Sequence, residues 1–298
     1  MLSLIICSRE ADISLSLKEN IRETIGIQYE LIVIDNSKNK YSIFSAYNEG
    51  VRRAKYPYLC FMHDDILFHT HEWGEKIIKH FDDPKLGIIG VVGSHYMPKL
   101  PGAHWSAGIS SGNIIHTIDD ITKKEFWRFY GNKINTKEAI CLDGCWLCIP
   151  SKLFLKIRFD EFTFSGFHCY DTDICLQIVN LNYKVNIIFD IDIEHFSLGQ
   201  RNHDWLNNIF LLYHKWKKKL PLNSIKLSKF EISKANFLNA KELIEQISFN
   251  KFGEMIKLRI WIYYLKANPP NSKVNILLLF RLINEKLYLF LKKIFQSE

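Results

Sequence analysis

Short apolar runs alternate with helix-patterned segments over the first ninety residues of this chain, and that alternation constrains the fold most. Leu2 to Cys7 is apolar almost throughout, Glu30-Leu-Ile-Val-Ile-Asp35 and Tyr58 to Met62 follow, and Gly87 to Val92 is a fourth such run. Between them lie stretches with apolar residues three and four apart: Ile13, Leu17, Ile21 and Ile25 behind a capping Asp12, then Ile43, Tyr47, Val51 and Ala54 within Ser42 to Lys55, then Glu72 to Phe81. Strands without polar alternation, separated by helices, predict an α/β protein whose mostly parallel central sheet is covered on both faces. With 298 residues, 47% of them hydrophobic, the chain can build one large core and an appendage.

In such sheets ligands sit beyond the carboxyl ends of the strands. Those ends carry Ser8, Asp35 and the cluster His63-Asp64-Asp65. Carboxylates delivered by a buried strand are costly unless a cation meets them. Further along, residues 93 to 140 are punctuated by glycines and prolines, which predicts short strands and loops over the site. A strand at Cys145 to Ile149, a helix from near Ser151, a loop to Tyr170, a helix from Asp171 to Asn180 and a strand at Tyr183 to Phe189 leading to Ile193-Glu194-His195 complete the pattern. After Gly199 the chain reads as helical. Trp205, Ile209, Leu212 and Trp216 recur at helical spacing, and helices are expected near 234–247, 252–267 and 274–295. The expected division is residues 1–200 and a helical extension, 201–298.

The formal charge of +7 is moderate and gives no reason to invoke nucleic acid. Seven cysteines, an odd number mostly in apolar runs, read as reduced thiols of a cytoplasmic protein. Cys141, Cys145 and Cys148 lack a fourth ligand at zinc spacing. Met1 to Cys7 lacks the basic start of a secretion signal, and no run of about 18 uncharged apolar residues is present. From Lys251 onward nine Lys or Arg stand against three Glu. Leu- and Phe-rich sequence from Val274 to Phe295 suits either a helix on an anionic membrane surface or one packed on its own domain or a second subunit.

Four segments in this order, Leu31-Ile-Val-Ile-Asp-Asn-Ser37, Ala46-Tyr-Asn-Glu-Gly50, Tyr58-Leu-Cys-Phe-Met-His-Asp-Asp65 and Phe159 to Cys175, resemble the GT-A glycosyltransferases, specifically the family 2-like bacterial enzymes of capsule and surface-polysaccharide synthesis. The resemblance covers roughly residues 1 to 200. It implies a nucleotide-diphospho-sugar donor, a UDP-sugar favoured, a glycan or lipid-linked acceptor, and Mn2+ or Mg2+. It further implies that Asp35 contacts base or ribose, that Ser8, His63 and Asp64 lie along the donor, and that Asp143 lies near the transferred sugar. Asp65 and His195 would hold the metal, and Asp171 would deprotonate the acceptor hydroxyl with inversion at the anomeric carbon. His104, Trp105 and His168 could line an acceptor pocket. The chain departs from the family pattern at His63, where Asp is usual, and at Tyr170, where many relatives have Glu.

Plainer readings stand beside these. Asp171 and Asp173 suit a helix start. Asp64-Asp65, Asp35-Asn36-Ser37 and Asp143-Gly144 are also turn chemistry. His195 is a lone histidine, and lone histidines are commonly structural. Two other functions fit parts of the pattern: a non-catalytic sugar-nucleotide or glycan binding module, and a nucleotidyltransferase. The second usually carries a glycine-rich loop after the first strand, where this chain has Cys7-Ser-Arg-Glu-Ala-Asp12. The same lack of glycine disfavours a dinucleotide oxidoreductase.

Overall fold

Strand β1 (Leu2–Ser8) lies one place in from the edge of a seven-stranded sheet, and Leu2, Leu4, Ile5 and Ile6 are fully buried. It pairs in parallel with β2 (Tyr29–Asp35) on one side and β3 (Tyr58–Met62) on the other. The register sets Ser8 opposite Asp35 and Ile6 opposite Met62, so the three strands end together. The computed structural model describes residues 1–118, 121–127, 135–197, 199, 201–249, 258 and 262.

Two helices make the parallel crossovers. Helix α1 (Leu15–Thr24) buries Leu17 and Ile21, with Ile13 and Ile25 buried at its flanks. Its cap is Ser14, which accepts from the Leu17 amide at 3.2 Å, and not Asp12 as expected. Leu17 lies three positions after Ser14, the spacing an N-cap oxygen needs. Asp12 instead accepts from its neighbour Ile13 and pairs with Lys18. Helix α2 (Ile43–Arg53) is capped by Ser42 and turns Ile43, Phe44, Ala46, Tyr47 and Gly50 inward. The glycine matters there, because a Cβ at Gly50 would lie 2.2 Å from Cγ2 of Ile5.

Beyond β3 come β4 (Ile66–Phe68), α3 (Trp73–His80) and β5 (Leu86–Gly90). The mostly parallel sheet takes in an antiparallel strand between β3 and β5. Strand β12 (Trp146–Pro150) inserts there and runs antiparallel to both. All five of its residues are buried, as a strand covered on both faces requires. Strand β13 (Lys184–Ile188) joins β5 in parallel and β10 (Thr136–Ala139) closes the edge antiparallel. The sheet order is β10-β13-β5-β12-β3-β1-β2.

A second sheet arises where short strands and loops were expected. It contains β6 (Val92–Ser94), β8 (Ser110–Ile118), β9 (Ile121–Trp127), β11 (Cys141–Leu142) and β14 (Ile193–His195), and takes in β4. A two-residue strand, β7 (Tyr96–Met97), precedes β8. After β12 the chain makes a 3-10 turn at Ser151–Leu155 in place of the expected α-helix, and α4 (Tyr170–Asn180) follows. Further on lie α5 (His203–Trp216), β15 (Leu222–Asn223) and α6 (Lys229–Phe249).

The described residues form two compact units. One comprises residues 1–96, 110–199 and 223–225, the other residues 97–109, 200–222 and those from 226 onward. Within the second, α5 buries Trp205, Ile209, Leu212 and Trp216, the four residues whose spacing foretold it. Trp105 stacks on Trp205 at 6.5 Å, with the Arg201 guanidinium over its ring. The helices expected at 252–267 and 274–295 lie outside the described residues, apart from Leu258 and Ile262.

Candidate active site

Strand pairing assembles the site. Strand β3 ends at Met62, and the chain passes through His63, Asp64 and Asp65 into β4. Strand β14 runs antiparallel to β4 with His195 opposite Ile66, and the Phe196 amide donates to the Asp65 carbonyl at 3.1 Å. His195, 130 positions away in sequence, is thereby brought beside Asp65. Its Nε2 lies 3.4 Å from Asp65 Oδ1 and 3.3 Å from His63 Nδ1, and that Nδ1 lies 3.8 Å from Asp65 Oδ1. One nitrogen or oxygen from each of the three residues falls within 4.8 Å of the others.

The electrostatics keep His63 and Asp65 in ligand form. Burial pushes the His63 imidazole down to about 4, helped by the charge of His195 and opposed by Asp65, Asp143 and Asp64. His63 is therefore neutral near pH 7. Burial raises the Asp65 carboxyl, but hydrogen bonds from His195 and Ser197 and the charges of the two histidines outweigh it and hold the group well below the usual carboxylate range. A neutral imidazole beside a carboxylate ion is what a divalent cation needs.

Asp64 faces the other way. Its carboxylate accepts from the Arg9 amide at 3.0 Å and the Arg9 guanidinium at 2.8 Å, and Ser8 Oγ is 3.5 Å away. Arg9 also reaches Asp65 at 3.3 Å. The sequence reading missed Arg9. The available signal was a basic residue directly following the strand end that carries Ser8.

The third group forms where α4 meets the turn before β12. Asp171 Oδ2 accepts from the Gly144 amide at 3.1 Å, and Oδ1 accepts from the Thr172 amide. Asp171 is the second residue of α4 and not its cap. Cys169 occupies that position, with a φ of 70° and no side-chain cap bond. Asp143 accepts from the Cys145 amide at 2.9 Å, while the Cys145 carbonyl accepts from the His63 amide at 3.0 Å. Tyr170, buried at the start of α4, bonds both His63 and the Gly144 carbonyl. Its participation had no signal in the sequence beyond its departure from the family pattern.

His63, Asp64, Asp65, His195, Asp143, Asp171 and Ser8 are thus linked by direct contacts or one residue apart. Asp35 is placed opposite Ser8 by the β1–β2 register, but its carboxylate accepts from the amide and hydroxyl of Ser37. Those bonds and the charge of Lys38 lower its pKa. It borders a cavity of about 320 Å³ lined also by Val33, Ile34, Lys38, Lys40, Tyr41 and Arg53. His168 lies on the loop before α4, its ring 6.2 Å from that of Phe167. Trp105 and His104 belong to the second compact unit. All seven cysteines are unbridged, six of them buried.

Residues 3–218 match the model of the glycosyltransferase-like family, and the chain belongs to that family. By that membership it is a glycosyltransferase, and the matched residues span the mixed seven-stranded sheet. A protein of Fuscovulum blasticum described as ORF 6 of the ATP synthase subunits region is 25% identical over 199 residues, 63% of this chain and 72% of that protein. Among solved structures, GalNAc-T7 with UDP, GalNAc and Mn2+ overlaps with a TM-score of 0.49 at 11% identity, over 91% of this chain and 55% of that one. A197 from STIV overlaps with a TM-score of 0.38 at 14% identity, over 66% and 86%.

Proposed function

We propose that this glycosyltransferase moves one sugar from a nucleoside-diphospho-sugar, a UDP-sugar foremost, to a hydroxyl of a glycan or lipid-linked acceptor, with inversion, in the synthesis of a surface polysaccharide. The observation that carries the reading is the meeting of His63 Nδ1, Asp65 Oδ1 and His195 Nε2 within 4.8 Å at the carboxyl end of β3. The donor set fits a divalent cation. Two imidazoles and a carboxylate suit Mn2+ better than Mg2+, which prefers oxygen ligands alone. Such an ion, when bound, neutralises charge developing on a leaving diphosphate.

The chain's own groups perform the remaining work. Asp35 accepts from a base or ribose donor, and Ser8 and Asp64 lie along the nucleotide. Asp171, held by the Gly144 amide, takes the proton of the acceptor hydroxyl. The acceptor oxygen forms its bond to the anomeric carbon as the bond from that carbon to phosphate breaks, and the electron pair leaves with the diphosphate. Base assistance of this kind is worth about 10²–10⁴-fold. Asp143 lies near the transferred sugar. The enzyme is cytoplasmic, and its basic C-terminal sequence suits an anionic membrane surface, its own domain or a second subunit. None of the described helices is long and apolar enough to cross a membrane.

The test is a thermal-shift series with UDP, GDP, CMP and dTDP, each with Mn2+ and with EDTA, followed by hydrolysis assays on the matching nucleotide sugars. Binding to the native state raises the melting temperature by mass action. A shift with one nucleoside diphosphate that needs Mn2+ supports the reading. Equal response with EDTA removes the metal, and no response to any nucleotide removes the donor.

A further inference from the structure

The phenol of Tyr170 stands between two groups of different hydrogen-bonding character. Its oxygen is 3.0 Å from the carbonyl of Gly144 and 2.8 Å from Nε2 of His63. A carbonyl has no proton to give, so the single phenolic proton goes to Gly144. The Tyr47 hydroxyl is a further neighbour of the Tyr170 oxygen; toward His63 that oxygen can then only accept, and the imidazole proton must sit on Nε2. Nδ1 of His63 is left with a lone pair, and it faces His195 Nε2 at 3.3 Å and Asp65 Oδ1 at 3.8 Å.

The opposite tautomer would strip a buried carbonyl of its donor. It could be relieved only if the phenol turned, and the packing prevents that. Tyr170 is 3% exposed, with Phe44, Tyr47, Phe159 and Phe167 around its ring at centroid distances of 5.5–6.4 Å. Gly144 has no Cβ for a steric reason of the same origin: one built there would lie 2.2 Å from the Tyr170 hydroxyl. The phenol fills the place a side chain at position 144 would take, which seats it on that carbonyl.

We propose that Tyr170 is a positioning residue, whose hydroxyl, anchored on the Gly144 carbonyl, locks His63 in the Nε2–H tautomer and so presents the Nδ1 lone pair to a divalent cation shared with Asp65 and His195. This rests on the reading of that cluster as a metal site. Outer hydrogen bonds that fix a ligating histidine are typically worth about 10–100-fold in metal affinity.

The experiment is NMR of the metal-free full chain labelled with 15N-histidine, the His63 signals identified by their loss in His63→Gln, together with Mn2+ titrations of wild type and Tyr170→Phe. In wild type the proton resides on Nε2 of His63. In Tyr170→Phe a population with the proton on Nδ1 grows, because Nε2 then lacks its acceptor while Nδ1 still faces His195 Nε2 and the Asp65 carboxylate, and Mn2+ binds about 10–100-fold more weakly. A purely structural role for Tyr170 would leave the tautomer where it was, and that result overturns the proposal. Should Tyr170→Phe fail to fold, the wild-type spectrum still decides, since a proton on Nδ1 in metal-free protein overturns it directly. Wild type that binds Mn2+ with His63 in the wrong tautomer removes the role of Tyr170 alone. The expected tautomer in a protein that binds no Mn2+ removes the metal reading, and this role with it.

Discussion

Replacing Arg9 with Gln should tighten Mn2+ binding in the absence of nucleotide. The guanidinium stands 2.8 Å from Asp64 Oδ1 and 3.3 Å from Asp65 Oδ2, so it already neutralises part of the charge a metal ion would use. Two unit charges at 3.3 Å interact by about 1.3 kcal/mol in water and several times more at lower dielectric. The Arg9 side chain is 72% exposed, which puts the interaction near the aqueous limit. Salt screening reduces it further, to about 1 kcal/mol. That competition corresponds to about a fivefold change in Kd. Arg9→Gln should therefore bind Mn2+ about fivefold more tightly at low ionic strength, and the advantage should shrink as salt is added. Stability should hardly move, since exposed ion pairs contribute about 0–1 kcal/mol. Titration of the free Mn2+ electron paramagnetic resonance signal against both proteins measures the difference. Equal or weaker binding by Arg9→Gln at low salt would show that Asp65 is not where the cation sits, or that Arg9 does not compete for it.

Asp171→Asn should bind the nucleotide with unchanged affinity in calorimetry yet lose about 10²–10⁴-fold in transfer rate, and full activity would reassign the base. Gly50→Ala should cost about 1–3 kcal/mol in denaturant unfolding, because the new methyl enters a buried contact with Ile5, and an unchanged midpoint would mean that α2 does not pack as described. Burial lowers the pKa of His95, against a hydrogen bond to the Glu138 carbonyl that raises it. The unfolded chain takes up a proton as pH falls below about 6.5 while the folded chain resists, so this residue's contribution to stability is intact above that pH and declines below it. The melting temperature of His95→Gln should fall less steeply than that of wild type between pH 7.5 and 5.5, and parallel slopes would contradict this.

The first three strands were legible because each is an uninterrupted apolar run with polar residues at its end. The gathering of Ser8, Asp35 and His63-Asp64-Asp65 at one edge followed from that regularity. The ends of α2, α3 and α4 were readable to within a residue or two, the cap of α1 moved from Asp12 to the competing acceptor Ser14, and α6 begins at Lys229, five residues before its expected start. The insertion of β12 between β3 and β5 was not legible. An apolar run such as Trp146 to Pro150 is the same whether it enters a sheet parallel or antiparallel, and its direction depends on strands that precede it by dozens of residues in the chain. The second sheet was hidden by the glycines that made residues 93 to 140 look like loops. Of the site, residue types at strand ends were visible, but their contacts were not. Arg9 and Tyr170 act through neighbours 55 and 107 positions away, and no local pattern records such a distance.

The most direct measurement is anomalous diffraction from crystals grown with Mn2+ and UDP. A cation held by the strand-end cluster predicts one strong manganese peak bounded by His63 Nδ1, Asp65 and His195 Nε2, with the diphosphate against it. A nucleotide bound with no manganese at that position, or a peak held by other residues, would contradict the metal site on which the proposed reaction rests.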